Sequence, residues 1–120
     1  MREGLPNEVC GLLVGRDGIV SRVFRCANVH ETPLTRYRMD PRDQLRAYHV
    51  MEEAGEALVA IYHSHPVTRP YPSETDRAEA YERDALYVLL SLRTGAPEIK
   101  AYALDGPEVR EVPVEISGPV

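Results

Sequence analysis

Lysine, cysteine and long apolar runs are scarce in this chain of 120 residues. It has one lysine against 13 arginines, no run of basic residues, and a formal net charge of -5. That balance argues against a nucleic-acid binder that relies on phosphate contacts. No stretch approaches the roughly 20 apolar residues that cross a bilayer, and no secretory signal pattern is present. We therefore expect a cytoplasmic protein with a single domain over residues 1–120, of which 117–120 form a frayed tail.

Cys10 and Cys26 are the only cysteines, and they lack the C-x-x-C spacing of a thiolate zinc site. The P-C-x-x-C signature of the zinc deaminases is also absent. Disulfides are rare in the cytosol, so we expect two buried free thiols.

Two histidines follow a short apolar run that predicts a buried strand. The run is Leu58–Tyr62, and His63 and His65 stand where it ends. Side chains two apart on an extended strand point to the same face, so both rings can reach one metal ion. A single histidine at a strand end is usually only hydrogen-bonded, but two of them around a serine and before Pro66 favour a metal site.

Asp76 lies close behind the histidines, in the segment Ser73-Glu74-Thr75-Asp76. This segment is also typical of a helix N-terminus, with Ser73 as N-cap and the aspartate in the first turn. The two interpretations are compatible, because a first-turn side chain can face a neighbouring strand end. Two histidines, one carboxylate and a water compose a catalytic zinc site, where the bound water has a pKa of about 7. Spacing alone does not single out the general base that such a site needs among 13 glutamates. We choose Glu8, because it directly precedes the first buried strand, and we expect Ser73 to be an oxyanion donor, because it is close in sequence to Asp76.

The remaining patterns predict an α/β domain with a mixed sheet in the order β-β-α-β-α-β-β-β. Asp40-Pro41 predicts the start of a helix that Gly55 ends. Its apolar face is formed by Leu45, Tyr48, Met51 and Ala54 at a spacing of three, widened by Ala47 and Val50. Asp17-Gly18 predicts a hairpin. The other expected elements are strands at 9–14, 19–26, 86–92, 99–104 and 109–116, a short strand near 37–39, and a helix from Ser73 to about Arg83.

His63-Ser64-His65-Pro66 and Ser73-Glu74-Thr75-Asp76 together resemble the JAMM (or MPN-plus) metalloprotease motif, which is H-x-H-P, a short gap, and S-x-x-D. The upstream segment Pro6–Gly15 resembles the family's first conserved block, which carries its catalytic glutamate. Both blocks stand in the family's order, and the resemblance covers most of the chain. It implies a cytidine-deaminase-like α/β sandwich of the JAB/MPN type, with helices packed on a central mixed sheet.

The resemblance also implies a role for each matching residue. Glu8 would be the general base and proton shuttle, and Ser73 would help to stabilise the tetrahedral intermediate. Ser64, which stands between the ligands, and Pro66 would shape the loop. The ligands of one zinc ion per chain would be His63, His65 and Asp76.

Members of this family cleave amide or isopeptide bonds at the C-terminus of ubiquitin-like proteins, and small prokaryotic members are associated with sulfur-carrier proteins. The resemblance therefore implies hydrolysis of the bond after a C-terminal Gly-Gly, with the substrate tail extended along a sheet edge. The alternatives are a non-catalytic scaffold of the same fold, a zinc hydrolase of small amides, and a DNA-repair-associated relative. Scaffold members typically lack the zinc ligands that this chain has.

One departure concerns the N-terminal side of the motif. The family usually has a helix before its glutamate block, whereas only seven residues precede Glu8 here. Loss of such a helix would expose apolar sheet surface, and we expect self-association, such as a homodimer, to cover it. The long insertions of the eukaryotic deubiquitinases are also missing, so we expect no selectivity for one polyubiquitin linkage.

Overall fold

In the part of the chain that a computed structural model describes, six strands and two helices follow one another in the predicted order. The structure describes residues 7–66, 68–78, 80, 85–91, 93–94, 96–105 and 108–115. The elements are β1 Cys10–Arg16, β2 Ile19–Cys26, α1 Pro41–Ala54, β3 Ala57–His65, α2 Glu74–Ala78, β4 Leu86–Ser91, β5 Glu98–Asp105 and β6 Glu108–Val112.

The strands form one mixed sheet in the order β2-β1-β3-β4-β5-β6. β3 and β4 run parallel, and the other paired strands of the described chain are antiparallel. β3 lies between β1 and β4, and consecutive residues from Ala60 to His65 are buried, which means that both faces of this part of the strand are covered. Burial on both faces explains its near-continuous apolar sequence. The predicted α/β fold with a mixed sheet is confirmed.

The hairpin between β1 and β2 turns at the predicted dipeptide. Asp17 has φ 53° and Gly18 has φ 77°, so both central residues adopt the positive φ that a two-residue type I′ turn requires. The turn places Arg16 opposite Ile19, and a bulge between Val14 and Gly15 then shifts the register so that Cys10 faces Cys26. Both cysteines are buried and free, as expected.

The predicted caps of α1 are both present. The Asp40 side chain accepts a hydrogen bond from the Arg42 N–H, and Gly55 ends the helix in the left-handed conformation with φ 65°. Ala47 and Met51 of the predicted inward face are buried, but Leu45 of the same face is 60% exposed. The helix therefore buries an i, i+4 line through Ala47 and Met51 and leaves the first residue of the expected face in contact with solvent.

Several other boundaries differ from the predictions. The expected strand near 37–39 is a single bridge between Asn28 and Met39. β6 ends at Val112 rather than near residue 116. The predicted helix from Ser73 is described only over Glu74–Ala78. The predictions for residues 79, 81–84, 106–107 and 116–120 lie outside the described residues.

The two faces of the sheet differ in how they are covered. On one face α1 and the sheet enclose a core that includes Leu12, Ile61 and Leu89, which are fully buried. The opposite face carries a broad apolar hollow of about 1280 Å³ with no helix over it in the described part of the chain. Its lining includes Leu13, Val23, Val88, Leu90 and Ile99. None of the described helices is both long and apolar enough to cross a membrane.

Candidate metal centre

His63 and His65 are the last odd-numbered residues of β3, which extends past the predicted end at Tyr62. Pairing with β1 on one side and β4 on the other carries the strand to His65, since Cys10 faces His63 and Ser91 faces His65. The two imidazoles therefore share the core face of the sheet. Both residues are buried, with 1% and 5% of their surface exposed.

The nitrogen atoms of the two rings converge with one carboxylate oxygen of Asp76. The distance from His63 Nε2 to His65 Nε2 is 3.2 Å, and Asp76 Oδ2 lies 3.1 Å from the first nitrogen and 3.0 Å from the second. Tetrahedral ligands 2.0–2.1 Å from a zinc ion would stand about 3.3 Å apart. The three atoms thus form a triangle of nearly the size that one zinc ion needs, and they could hold a metal.

Asp76 is held in place by the first turn of α2. Its backbone N–H donates to Ser73 Oγ at 3.0 Å, and the Ser73 N–H donates to Asp76 Oδ2 at 2.9 Å. The segment therefore acts as a helix cap and aims a carboxylate at the histidines, as the two compatible interpretations required. Burial alone would raise the pKa of Asp76, but hydrogen bonds from His63 and His65 hold it well below its ordinary value.

The two histidines have different surroundings. His65 Nδ1 donates to the carbonyl of Arg69 at 3.0 Å, so in the neutral ring Nε2 carries no hydrogen and can bind a metal. In the metal-free cluster the protonated ring also donates from Nε2 to Asp76 Oδ2 at 3.0 Å. The ring of Tyr37 stacks on that of His63, with centroids 4.4 Å apart and an interplanar angle of 22°. Burial lowers the pKa of His63 below its ordinary value, so this ring favours the neutral form that binds metals.

Glu8 lies next to this cluster because of strand register. Cys10 faces His63 in the antiparallel pair, so continuing the register puts Val9 opposite Ser64 and Glu8 opposite His65. Two hydrogen bonds confirm the first pairing: the Val9 N–H donates to Ser64 Oγ at 2.8 Å, and the Ser64 N–H donates to the Val9 carbonyl at 2.9 Å. Ser64 thus lies within β3 and joins it to the chain beside Glu8, rather than shaping a loop as predicted.

The carboxyl group of Glu8 is buried, with 6% of the residue exposed. Burial raises its pKa from 4.5 to about 7, with His65 lowering it and Asp76 raising it further. A carboxyl group with a pKa near neutrality can both accept and release a proton at physiological pH.

The donor set and its surroundings fit a zinc ion with one open position. Two imidazole nitrogens and one carboxylate are the protein ligands of several catalytic zinc sites. Among the described residues, the buried side-chain nitrogen and oxygen atoms without a hydrogen-bond partner are Glu8 Oε1 and His63 Nδ1, and both belong to this site. The free carboxylate oxygen is an acceptor ready for a water or a substrate group.

Residues 1–105 match the family described as prokaryotic homologs of the JAB domain. The chain belongs to this prokaryotic JAB family. The resemblance to the JAMM/MPN-plus group that the motifs carry is thereby confirmed, and so is the implied JAB/MPN fold.

Three relatives with a similar sequence are named after the bonds or conjugates that they cleave. The CysO-cysteine peptidase of Mycobacterium tuberculosis (strain ATCC 25618 / H37Rv) is 41% identical over 118 residues, which cover 96% of this chain and 80% of the relative. The desampylase of Haloferax volcanii is 34% identical over 115 residues, which cover 92% of this chain and 79% of the relative. The probable TtuB-protein conjugate cleaving protease of Thermus thermophilus is 42% identical over 107 residues, which cover 89% of this chain and 67% of the relative.

Solved structures agree with this assignment. Protein DSY2949 from Desulfitobacterium hafniense superposes with a TM-score of 0.87 at 35% identity, over 99% of this chain and 84% of the other. AF2198, a JAB1/MPN domain protein from Archaeoglobus fulgidus, superposes with a TM-score of 0.55 at 19% identity, over 94% of this chain and 82% of the other. The second likeness concerns the fold alone.

Two residues of this JAB site were not singled out by the sequence. Tyr37 and Asn28 lie in the irregular crossing before α1, where no periodicity indicates which side chains face the histidines. A turn-forming asparagine and an isolated aromatic residue were the available signals, and both are common in loops. His30 and His49 remain apart from the site, since His30 Nδ1 accepts from the Thr32 N–H and His49 is exposed on α1.

Proposed function

We propose that this chain is a zinc-dependent peptidase or isopeptidase that hydrolyses the amide bond after the C-terminal Gly-Gly of a ubiquitin-like or sulfur-carrier protein. The observation that carries the proposal is the convergence of His63, His65 and Asp76 on one point beside the buried carboxyl group of Glu8. Membership of the JAB family and the names of its relatives support the class of reaction.

The zinc ligands in this proposal are His63, His65 and Asp76. A bound zinc ion would supply Lewis acidity, lowering the pKa of water and polarising the scissile carbonyl. Glu8 would take the proton from the attacking water and pass it to the leaving amine, as its raised pKa and its unpartnered Oε1 allow.

Ser73 would donate a hydrogen bond to the oxyanion that forms at the scissile carbonyl. Its Oγ already accepts from the Asp76 N–H, and a hydroxyl group has one donor and two acceptor positions. The O–H hydrogen is therefore available for the substrate. Because Ser73 is exposed and its backbone is bonded to the Asp76 carboxylate, the hydroxyl group can be reached from solvent beside the metal ligands.

The substrate in this proposal is a conjugate that ends in Gly-Gly at the scissile bond. Its tail would lie extended and add to a sheet edge through main-chain hydrogen bonds. The relatives' names point to the same class, since CysO-cysteine and TtuB-protein conjugates are what two of them are named for cleaving. Narrow access past the loops would favour glycine over larger residues.

Incubation of the zinc-loaded protein with ubiquitin-fold proteins extended past Gly-Gly tests the proposal. Mass spectrometry should find a product ending in Gly-Gly and the released extension. An extension joined by an isopeptide bond to lysine and one joined to cysteine should be compared in parallel. Intact substrates in every case, with zinc bound to the protein, would contradict the proposed function.

Two further parts of the proposal concern location and assembly. We propose that the protein acts in the cytoplasm, where its two free thiols stay reduced. We also propose that it self-associates through the uncovered face of the sheet. The exposure of Ile19 and Val23, at 72% and 59%, supports this, because apolar side chains on one face lose contact with water on association.

A further inference from the structure

The carboxamide of Asn28 uses every hydrogen-bonding position that it has. Its Nδ2 donates to the carbonyl oxygens of Glu8 and Arg36, each at 2.9 Å. Its Oδ1 accepts from the N–H groups of His30 at 3.1 Å and Arg38 at 3.0 Å. Two donors and two acceptors are the full capacity of an amide side chain, so this residue is completely engaged with backbone groups of three segments.

One of those segments carries the buried carboxyl group. Glu8 precedes β1, so strand pairing does not hold its own peptide groups. Its N–H donates to the carbonyl of Pro33 at 2.7 Å, and its carbonyl accepts from Asn28. The same loop therefore fixes both polar backbone groups of Glu8, one through main chain and one through a side chain.

Two other hydrogen bonds of Asn28 join it to the residues on either side of Tyr37. Arg36 and Arg38 flank Tyr37, whose ring stacks on His63. A displacement of the Tyr37 segment would therefore move the carboxamide, and with it the Glu8 backbone. Asn28 itself contacts none of the three side chains that could hold the metal, according to its hydrogen bonds in the described chain.

We propose that Asn28 is a positioning residue, whose carboxamide joins the Glu8 backbone to the Tyr37 segment and so sets where the general base stands relative to the histidines. This inference rests on the proposed function, since it takes Glu8 as the base. A general base displaced by about 1 Å can lose about 100-fold in rate, and partners of active-site groups typically contribute 10–100-fold.

Asn28→Asp is the sharpest test, because it keeps the shape and the two acceptor bonds but removes both donors. We expect kcat to fall about 10–100-fold while KM and the zinc dissociation constant change less than about threefold. The absorption spectrum of the cobalt-substituted protein should be unchanged, since no ligand is touched. Asn7→Asp is the matched control: it adds the same charge at an exposed position adjoining Glu8, and its kcat should stay within about threefold of that of the unmodified chain.

A double mutant separates positioning from a general loss of structure. In a Glu8→Gln background the Asn28→Asp change should cause no further fall in the residual rate, because the group that it positions no longer transfers protons. If Asn28→Asp does not fold, the same measurements are made on Asn28→Ser, which adds no charge. A kcat within threefold of the unmodified value, or a parallel loss of kcat and zinc, would overturn the inference.

A readout without turnover keeps this inference distinct from the proposed function. In the metal-free protein, NMR couplings across hydrogen bonds should join the Asn28 side-chain amide to the carbonyl carbons of Glu8 and Arg36. Asn28→Asp should shift the Glu8 side-chain carboxyl resonance, and an unmoved resonance would refute the positioning role. If the unmodified zinc protein cleaves no conjugate, the proposed function fails on that ground, and the NMR result still decides whether Asn28 places Glu8.

Discussion

Replacing Glu8 by glutamine should stabilise the metal-free protein at alkaline pH and leave its stability nearly unchanged at acidic pH. Burial raises the pKa of Glu8 from 4.5 to about 7, so the folded protein holds this proton more tightly than the unfolded chain does. The stabilising contribution is therefore complete below about pH 4.5 and is lost as the pH rises through about 7. Since a tenfold change in proton affinity is worth about 1.4 kcal/mol, the loss is about 3 kcal/mol at most.

Urea unfolding of the metal-free protein at pH 4.5 and pH 8.5 measures this difference. The free energy of unfolding of the unmodified chain should fall between the two conditions by up to about 3 kcal/mol more than that of Glu8→Gln, which cannot ionise. Glu53→Gln, at an exposed position of α1, is the matched control and should follow the unmodified chain. If the free energy of unfolding had the same pH dependence in Glu8→Gln and in the unmodified protein, the raised pKa of the buried Glu8 carboxyl group would be refuted.

Three further predictions concern the surroundings of the site and the sheet. Ser64→Ala should cost about 1–3 kcal/mol in urea unfolding, because the N–H of Val9 loses its acceptor; an unchanged midpoint would contradict this. Tyr37→Phe should keep the zinc affinity, whereas Tyr37→Leu should weaken it about 2–10-fold in competition with a chelating dye, since only the latter loses the ring stacked on His63. Sedimentation should show concentration-dependent association that Val23→Asp weakens, and a stable monomer at high concentration would refute self-association.

Much of the fold could be predicted because its signals are local. The caps of α1 at Asp40 and Gly55 depend on the preferences of single residues, and so does the turn at Asp17-Gly18. The buried strand before His63 follows from an uninterrupted apolar run. Each of these features needs no knowledge of what packs against it, which is why all three agree with the structure.

Features set by distant partners were harder to predict. β3 continues through His63 and His65 because β1 and β4 pair with polar residues that a hydropathy pattern excludes from a strand. The predicted face of α1 held Leu45 as well as Ala47 and Met51, and which of them are buried depends on where the helix crosses the sheet. Local patterns cannot supply either fact.

The candidate site divides in the same way. The histidines and Asp76 have a recognisable spacing, whereas Glu8 was chosen among 13 glutamates only for its place before the first strand, until the family resemblance supported the choice. Its position opposite His65 depends on the register between β1 and β3, which only the folded chain reveals. Asn28 and Tyr37 reach the site from a loop, and no periodic pattern marks which loop side chains turn inward. The roles of all these residues, and the single domain over residues 1–120, stay predictions.

Zinc content and turnover, measured together on the same three proteins, test the central claim most directly. The unmodified chain should bind one zinc ion and cleave a Gly-Gly conjugate. His63→Ala should lose both properties, because it removes one of three ligands, whereas Glu8→Gln should keep the zinc and lose turnover. Full activity of Glu8→Gln, or zinc bound as tightly by His63→Ala as by the unmodified chain, would contradict the account.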